Sequence, residues 1–79
     1  MTIKVQDIKE HMEVIGSDGK HVGTVDHMEG ADKIKLTKGD PQSGGQHHLI
    51  PVRLVERVDD KVHLNKPARQ AMLEWQAAA

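Results

Sequence analysis

The stretch that decides the fold is residues 12–28, MEVIGSDGKHVGTVDHM. It reads as two strands around a tight turn, and the tripeptide SDG supplies the turn. Asp18 favours local side-chain hydrogen bonds there, and Gly19 tolerates a positive φ. Gly23 interrupts the second strand and indicates a bulge or a close backbone approach, as at the corner of a small barrel. The stretch therefore predicts a hairpin that bends within its second strand.

A third strand is predicted after a short turn that follows the hairpin. Residues 33–38, KIKLTK, alternate cleanly, with Ile34 and Leu36 on one face and polar side chains on the other. That pattern is typical of a half-buried strand with a solvated outer side. The glycine-rich segment KGDPQSGGQ, residues 38–46, then predicts the longest loop of the chain.

Residues 44–52, GGQHHLIPV, predict a junction between this loop and a further strand. Gly44 and Gly45 let the chain turn before the strand begins. Pro51 cannot donate a ladder hydrogen bond, so the strand ends there or lies at an edge. The adjacent histidines His47 and His48 fall inside this predicted strand.

Residues 54–65, LVERVDDKVHLN, predict a second hairpin with Asp59 and Asp60 in the turn. A two-residue turn would place Glu56 opposite His63, whereas a three-residue turn would flip this register. The inner positions of all the strands give the predicted core, which consists of Val14, Val22, Val25, Ile34, Leu36, Ile50, Val52, Val55, Val62 and Leu64.

One helix is predicted, over residues 67–76, PARQAMLEWQ. Pro67 suits the first helical turn. The apolar positions Ala68, Ala71, Met72 and Trp75 follow the spacing of one helix face. We expect this face to cover one end of the core and the final AAA to fray.

The predicted fold is all-β, a small β-barrel of about six short antiparallel strands with a C-terminal amphipathic helix. The 79 residues are predicted to form a single domain, with the barrel over 12–65 and the helix over 67–76. Barrel closure is favoured because it removes exposed strand edges.

Four segments carry a family resemblance: MEVIGSDGKHVGTVDHMEG, DKIKLTK, GGQHHLIPVRLVERVDDKVHL and ARQAMLEW. Together they resemble a small bacterial family of uncharacterised function that is related to the PRC-barrel superfamily. The resemblance spans residues 7–76. It implies a small β-barrel that serves as a docking or assembly module and not as an enzyme, and it brings no catalytic residues with it.

Composition argues against several classes of function. No stretch approaches the roughly 20 apolar residues of a membrane helix, and the N-terminus does not resemble a signal peptide. The chain has no cysteine, which fits a cytoplasmic location. Net charge is −1, which gives no strong field for nucleic acid. A lysine row at Lys33, Lys35 and Lys38 keeps RNA association as an alternative, although no aromatic stacking platform accompanies it.

The histidine pair His47 and His48 is the most conspicuous candidate for metal chemistry. Adjacent strand residues point to opposite faces, so the two cannot bind one ion without a bulge. Asp40 in the preceding loop, or His21 and His27 from the earlier strand, could complete a site with them if the fold brings these residues close. His21 and His27 themselves lie roughly 20 Å apart along an extended strand, too far to share one ion. We expect instead that one histidine packs inward and donates to a backbone carbonyl of the glycine-rich loop, while the other is solvated. Histidine-based metal binding is the alternative. No cofactor is predicted.

The helix offers the candidate interaction residues Met72 and Trp75. Both fall on its apolar stripe, and tryptophan is enriched at interaction hot spots. We therefore predict a cytoplasmic, non-enzymatic protein-interaction or assembly module that forms a homodimer. Its protein partner is not identified by the sequence.

Overall fold

A computed structural model describes residues 7–30 and 32–78. Within these residues, seven strands and one helix follow each other, and two 3-10 turns at Pro41–Ser43 and Val52–Leu54 interrupt the connections. The elements are β1 Glu13–Ile15, β2 His21–Glu29, β3 Lys33–Leu36, β4 His47–Pro51, β5 Val55–Val58, β6 Lys61–Leu64, α1 Ala68–Glu74 and β7 Gln76–Ala78. The chain is thus mainly β with one short helix, which agrees with the predicted class.

The strands form one sheet in the order β5-β6-β1-β2-β3-β4-β7. The pairing of β1 with β6 is parallel, and every other described pairing is antiparallel. In the described ranges β5 and β7 do not pair with each other, so the prediction of a closed, wholly antiparallel barrel is wrong. Helix α1 gives the physical reason, because its buried Ala68 and Ala71 cover core side chains that barrel closure would otherwise cover.

Strand β2 is long because it serves both halves of the sheet. Its first residues pair with β1, and from Val25 onward it pairs with β3. Gly23 lies at the bend, where an added Cβ would come 2.9 Å from Leu36 Cδ1. The glycine therefore permits a close approach between β2 and β3, as the sequence predicted.

The inner faces of the two halves meet in a single core. The predicted core residues are buried except Val52, which is half-buried because it starts a 3-10 turn instead of continuing β4. Among the described residues, the core consists of Ile8, Val14, Val22, Val25, Ile34, Leu36, Ile50, Leu54, Val55, Val62, Leu64, Ala68 and Ala71.

The turn of the first hairpin holds the start of α1. Ser17 N donates to Lys66 O at 2.8 Å, and Ala68 N donates to Asp18 Oδ1 at 3.2 Å. Asp18 therefore caps a helix that lies 50 residues further along the chain. Gly16 lies directly against the helix, since an added Cβ would come 2.2 Å from Ala68 N.

Four glycines among the described residues adopt left-handed backbone conformations, and one of them is Gly30 in the turn after β2, with a φ of 74°. The φ angle is 80° at Gly19, 66° at Gly44 and 82° at Gly45. Glycine reaches this region without the steric cost that a Cβ brings. Gly19 sets the turn of the first hairpin, and Gly44 and Gly45 set the end of the loop before β4.

The second hairpin turns at Asp59 and Asp60, as predicted, and has the longer of the two loops that the sequence allowed. Val58 pairs with Val62, so three residues form the loop and Arg57, not Glu56, lies opposite His63. A register shift within β5 absorbs the extra residue. Val55 consequently stays buried on the inner face.

The C-terminal segment differs from the sequence prediction. Helix α1 ends at Glu74, two residues early, and Trp75 has extended backbone angles. Residues Gln76–Ala78 then pair with β4, where the sequence predicted fraying. Packing against β4 decides this strand, because the local sequence has no strand pattern.

Candidate functional site

A row of polar side chains crosses the outer face of β6, β1 and β2. Lys61 pairs with Glu13, and Glu13 pairs in turn with Thr24. His21 lies on the same strand as Thr24, and the loop after β3 brings Asp40 to both. We call Lys61, Glu13, His21, Asp40 and Thr24 the outer polar chain.

Short contacts connect the outer polar chain from end to end. Lys61 Nζ lies 3.3 Å from Glu13 Oε1, and Glu13 Oε2 lies 2.9 Å from His21 Nδ1. His21 Nε2 lies 2.6 Å from Asp40 Oδ2, and Thr24 Oγ1 donates to the same oxygen at 2.7 Å. Basic and acidic side chains therefore alternate from Lys61 to Asp40, so each carboxylate of the outer polar chain has a basic group beside it.

Asp40 is the buried end of the outer polar chain. Only 3% of its side chain is exposed, compared with 33% for His21. A buried carboxylate is stable only when hydrogen bonds replace its lost hydration. His21 and Thr24 provide such bonds, and they fasten the loop between β3 and β4 to the outer face of β2.

The two carboxylates change the titration of His21. Burial by itself would lower the pKa of His21, but the hydrogen bonds to Glu13 and Asp40 outweigh burial and raise it above 6.5. The hydrogen bond from His21 in turn lowers the pKa of Glu13 below 4.5. The charged imidazolium is the form that can donate to both carboxylates.

We expect the protein to become more stable as the pH is lowered from above the folded-state pKa of His21 to about 6.5, the ordinary pKa of histidine. The pKa of His21 is higher in the folded chain, so its contribution is fully present below about pH 6.5 and is lost as pH rises through the folded pKa. Glu13 behaves in the opposite sense, since its contribution is lost only as pH falls through its lowered pKa. The midpoint of thermal unfolding, followed by circular dichroism, should therefore rise over this interval.

His21→Gln should abolish most of this rise in the unfolding midpoint. His27→Gln is the matched control, because it changes a more exposed histidine on the same strand. It should leave the rise in place. A rise of the same size in His21→Gln would show that other groups cause it.

His48 is the inner member of the histidine pair. It is 8% exposed, and its Nε2 donates to Ser43 O at 2.8 Å. The imidazole ring stacks on Trp75 with 3.9 Å between ring centroids and 8° between planes. Its Nδ1 is buried and has no hydrogen-bond partner in the described residues. His48 thus packs inward against the glycine-rich loop, as the sequence predicted.

His47 lies on the opposite side of β4. Its Nδ1 donates to Leu36 O at 3.1 Å and lies 3.8 Å from Asp26 Oδ2. Asp40 contacts His21 and not this pair. In residues 7–30 and 32–78, no group of three or more His, Cys, Asp or Glu residues is placed to hold a metal ion.

The sequence offered Asp40 and His21 only as separate partners for the histidine pair, and it did not predict that the two contact each other. His21 and Asp40 lie 19 residues apart, and no local spacing connects them. The sequence features that could have indicated this contact are weak. An aspartate before proline in a loop and a histidine at the start of a strand become neighbours only once β2, β3 and the loop are assembled.

The hydroxyl groups of the site are already engaged. Thr24 Oγ1 donates to Asp40, and Ser43 Oγ lies 2.7 Å from the carbonyl oxygens of Lys38 and Asp40. In the described part of the chain, no serine or threonine hydroxyl hydrogen-bonds to an imidazole. A nucleophile with an adjacent base, the arrangement that hydroxyl-based catalysis needs, is not formed there.

The predicted lysine row is not a free basic patch. Lys35 is only 19% exposed, and its Nζ lies 4.0 Å from Glu29 Oε2. Lys33 is half-buried in β3. The positive charge on this strand is therefore partly covered and partly neutralised, which weakens the case for contact with a phosphate backbone.

A family model matches residues 8–72, which is most of the chain. The family is described as an uncharacterized protein conserved in bacteria (DUF2171). The chain belongs to this family. The match includes every member of the outer polar chain of this DUF2171 protein, and it ends before Leu73 and β7. A search among curated proteins finds no match to the chain.

Membrane spanning by a helix is not supported. Among the described residues, no helix of this DUF2171 protein is both long enough and apolar enough to cross a bilayer.

Proposed function

We propose that this protein is a non-enzymatic protein-interaction module that self-associates through its C-terminal segment, residues 72–78. The observation that carries the proposal is the exposure of Leu73, whose 74% makes it the one exposed large hydrophobic residue among those described. Met72 and Trp75, the predicted interaction residues, flank it and are partly buried against the core. Apolar surface and an edge strand thus follow each other directly along the chain.

The remainder of the surface supports a binding role over catalysis. The outer polar chain satisfies its own charges, and the site hydroxyls donate to groups within the protein. A contiguous apolar patch on a soluble protein often marks an interaction site, and exposed Leu73 together with partly buried Met72 and Trp75 supplies the candidate patch. A net charge of −1 does not oppose the approach of a second copy.

Two further points belong to the same proposal. One is a distant relationship to the PRC-barrel superfamily, supported by the resemblance of GSDGKHVGTVD and GGQHHLIPV to members that serve as docking modules. The other is a cytoplasmic location, supported by the absence of cysteine.

Leu73→Ser should weaken self-association about tenfold or more, because burying a leucine side chain contributes roughly 1.5–3 kcal/mol. Sedimentation equilibrium measures the dissociation constant. Arg69→Ser is the matched control, since Arg69 is an exposed residue of the same helix. It should leave the constant nearly unchanged. Equal dissociation constants for Leu73→Ser and the unchanged chain would contradict the proposal.

The alternatives give different results in simple titrations. Calorimetry with zinc would favour metal binding if a one-to-one isotherm appeared and was lost in His48→Ala. Fluorescence anisotropy with mixed RNA would favour RNA association if a signal at low salt declined as salt was added. We expect neither signal.

A further inference from the structure

We propose that two copies of the chain join by pairing their β7 strands antiparallel about Ala77, so that the sheet continues from one copy into the other. This inference rests on the proposed self-association and identifies the surface and the occupant.

The two edges of the sheet differ in how they are protected. Strand β5 carries the exposed charges Glu56 and Arg57 and a register shift, which are features that discourage pairing with another strand. Strand β7 at the other end has the sequence Gln-Ala-Ala, with no charge and no proline. In the described residues, β7 is therefore the edge that offers its backbone groups without such protection.

Strand β7 is held extended before any partner arrives. It pairs with β4 through His47 opposite Ala78, His48 opposite Ala77 and Leu49 opposite Gln76. Trp75, the residue before β7, stacks on His48. A strand fixed in this way loses little conformational entropy when a second strand is added to its free side.

The sequence of β7 favours a second copy as the occupant. In an antiparallel pair centred on Ala77, Gln76 of each copy lies opposite Ala78 of the other, and no charged side chain meets its own kind. The contact is the same for both copies, so a two-fold axis closes it and limits the assembly to a dimer. A strongly charged strand of another protein finds no complementary charge on β7.

Pairing between two three-residue β7 strands buries little surface, and the exposed Leu73 adds apolar area to the contact. It lies in the last turn of α1, and β7 begins two residues after Glu74. In the antiparallel pair, the two copies of α1 would therefore lie at opposite ends of the paired strands, each next to the last residues of the other copy's β7. The backbone pairing sets the register, and the apolar side chains of α1 add the hydrophobic contribution.

The test uses two double variants of the full chain, one with two added positive charges and one with two added negative charges. One is Gln76→Lys with Ala78→Lys, and the other is Gln76→Glu with Ala78→Glu. Each places like charges directly across the dimer, so each should dissociate about tenfold or more readily than the unchanged chain in sedimentation equilibrium. An equimolar mixture of the two should associate again, because opposite charges then face each other.

Gln76→Lys alone is the control for added charge, because the new lysine lies opposite an alanine of the second copy. It should dimerise nearly as well as the unchanged chain. If both double variants dimerise normally, pairing through β7 is wrong while self-association stands. If the mixture fails to associate, the antiparallel register is wrong. If the unchanged chain is a monomer, both this inference and the proposed self-association are overturned.

Discussion

Gly16→Ala should lower the free energy of unfolding by about 3 kcal/mol, the upper end of the cost of overpacking. The new Cβ would lie 2.2 Å from Ala68 N and 2.8 Å from Ala68 Cα, and both are backbone atoms. Helix α1 must therefore move away from the first hairpin. That shift also lengthens the bond from Ala68 N to Asp18 Oδ1. Because small domains have only about 5 kcal/mol of stability, much of the total is at risk.

Urea unfolding followed by circular dichroism measures this effect. Gly39→Ala is the matched control, because its nearest neighbour, Thr37 Oγ1, would lie 3.6 Å from the new Cβ, an ordinary contact. Its stability should change by less than about 1 kcal/mol. A midpoint for Gly16→Ala that equals that of the unchanged protein would contradict the close docking of α1.

Asp40→Ala should cost about 2–3 kcal/mol of stability, since it removes a buried, charged hydrogen-bond acceptor. His21 Nε2 and Thr24 Oγ1 both lose a partner. The loop between β3 and β4 loses the contact that fastens it to β2. Loosening of this loop should also appear as faster amide hydrogen exchange over residues 37–46.

The matched control is Asp32→Ala, which removes an exposed aspartate from another loop and should change stability by less than about 0.5 kcal/mol. The double variant His21→Gln with Asp40→Ala should cost less than the sum of the two single changes, by about 1 kcal/mol. Strict additivity would show that the two side chains do not stabilise each other.

Local sequence patterns predict the strands well where apolar and polar residues alternate. The alternation in residues 33–36 predicts β3, and the inability of Pro51 to donate predicts the end of β4. Both features depend on neighbouring residues alone. The same patterns identify nearly all the buried side chains, because inward positions on a strand are fixed by its period of two.

Features that depend on distant residues are not predictable in this way. The parallel pairing of β1 with β6 joins Val14 to Val62, and no local pattern encodes that pairing or the open sheet that results. Strand β7 forms because β4 offers it an edge, although alanines alone favour a helix. The contact of His21 with Asp40 likewise appears only when the loop folds over β2.

Sedimentation equilibrium of the unchanged chain at neutral pH, over a wide range of concentrations, tests the central claim most directly. A self-associating module predicts an apparent mass that rises from 8.8 kDa toward twice that value as concentration increases. An apparent mass of 8.8 kDa at every concentration would contradict the account.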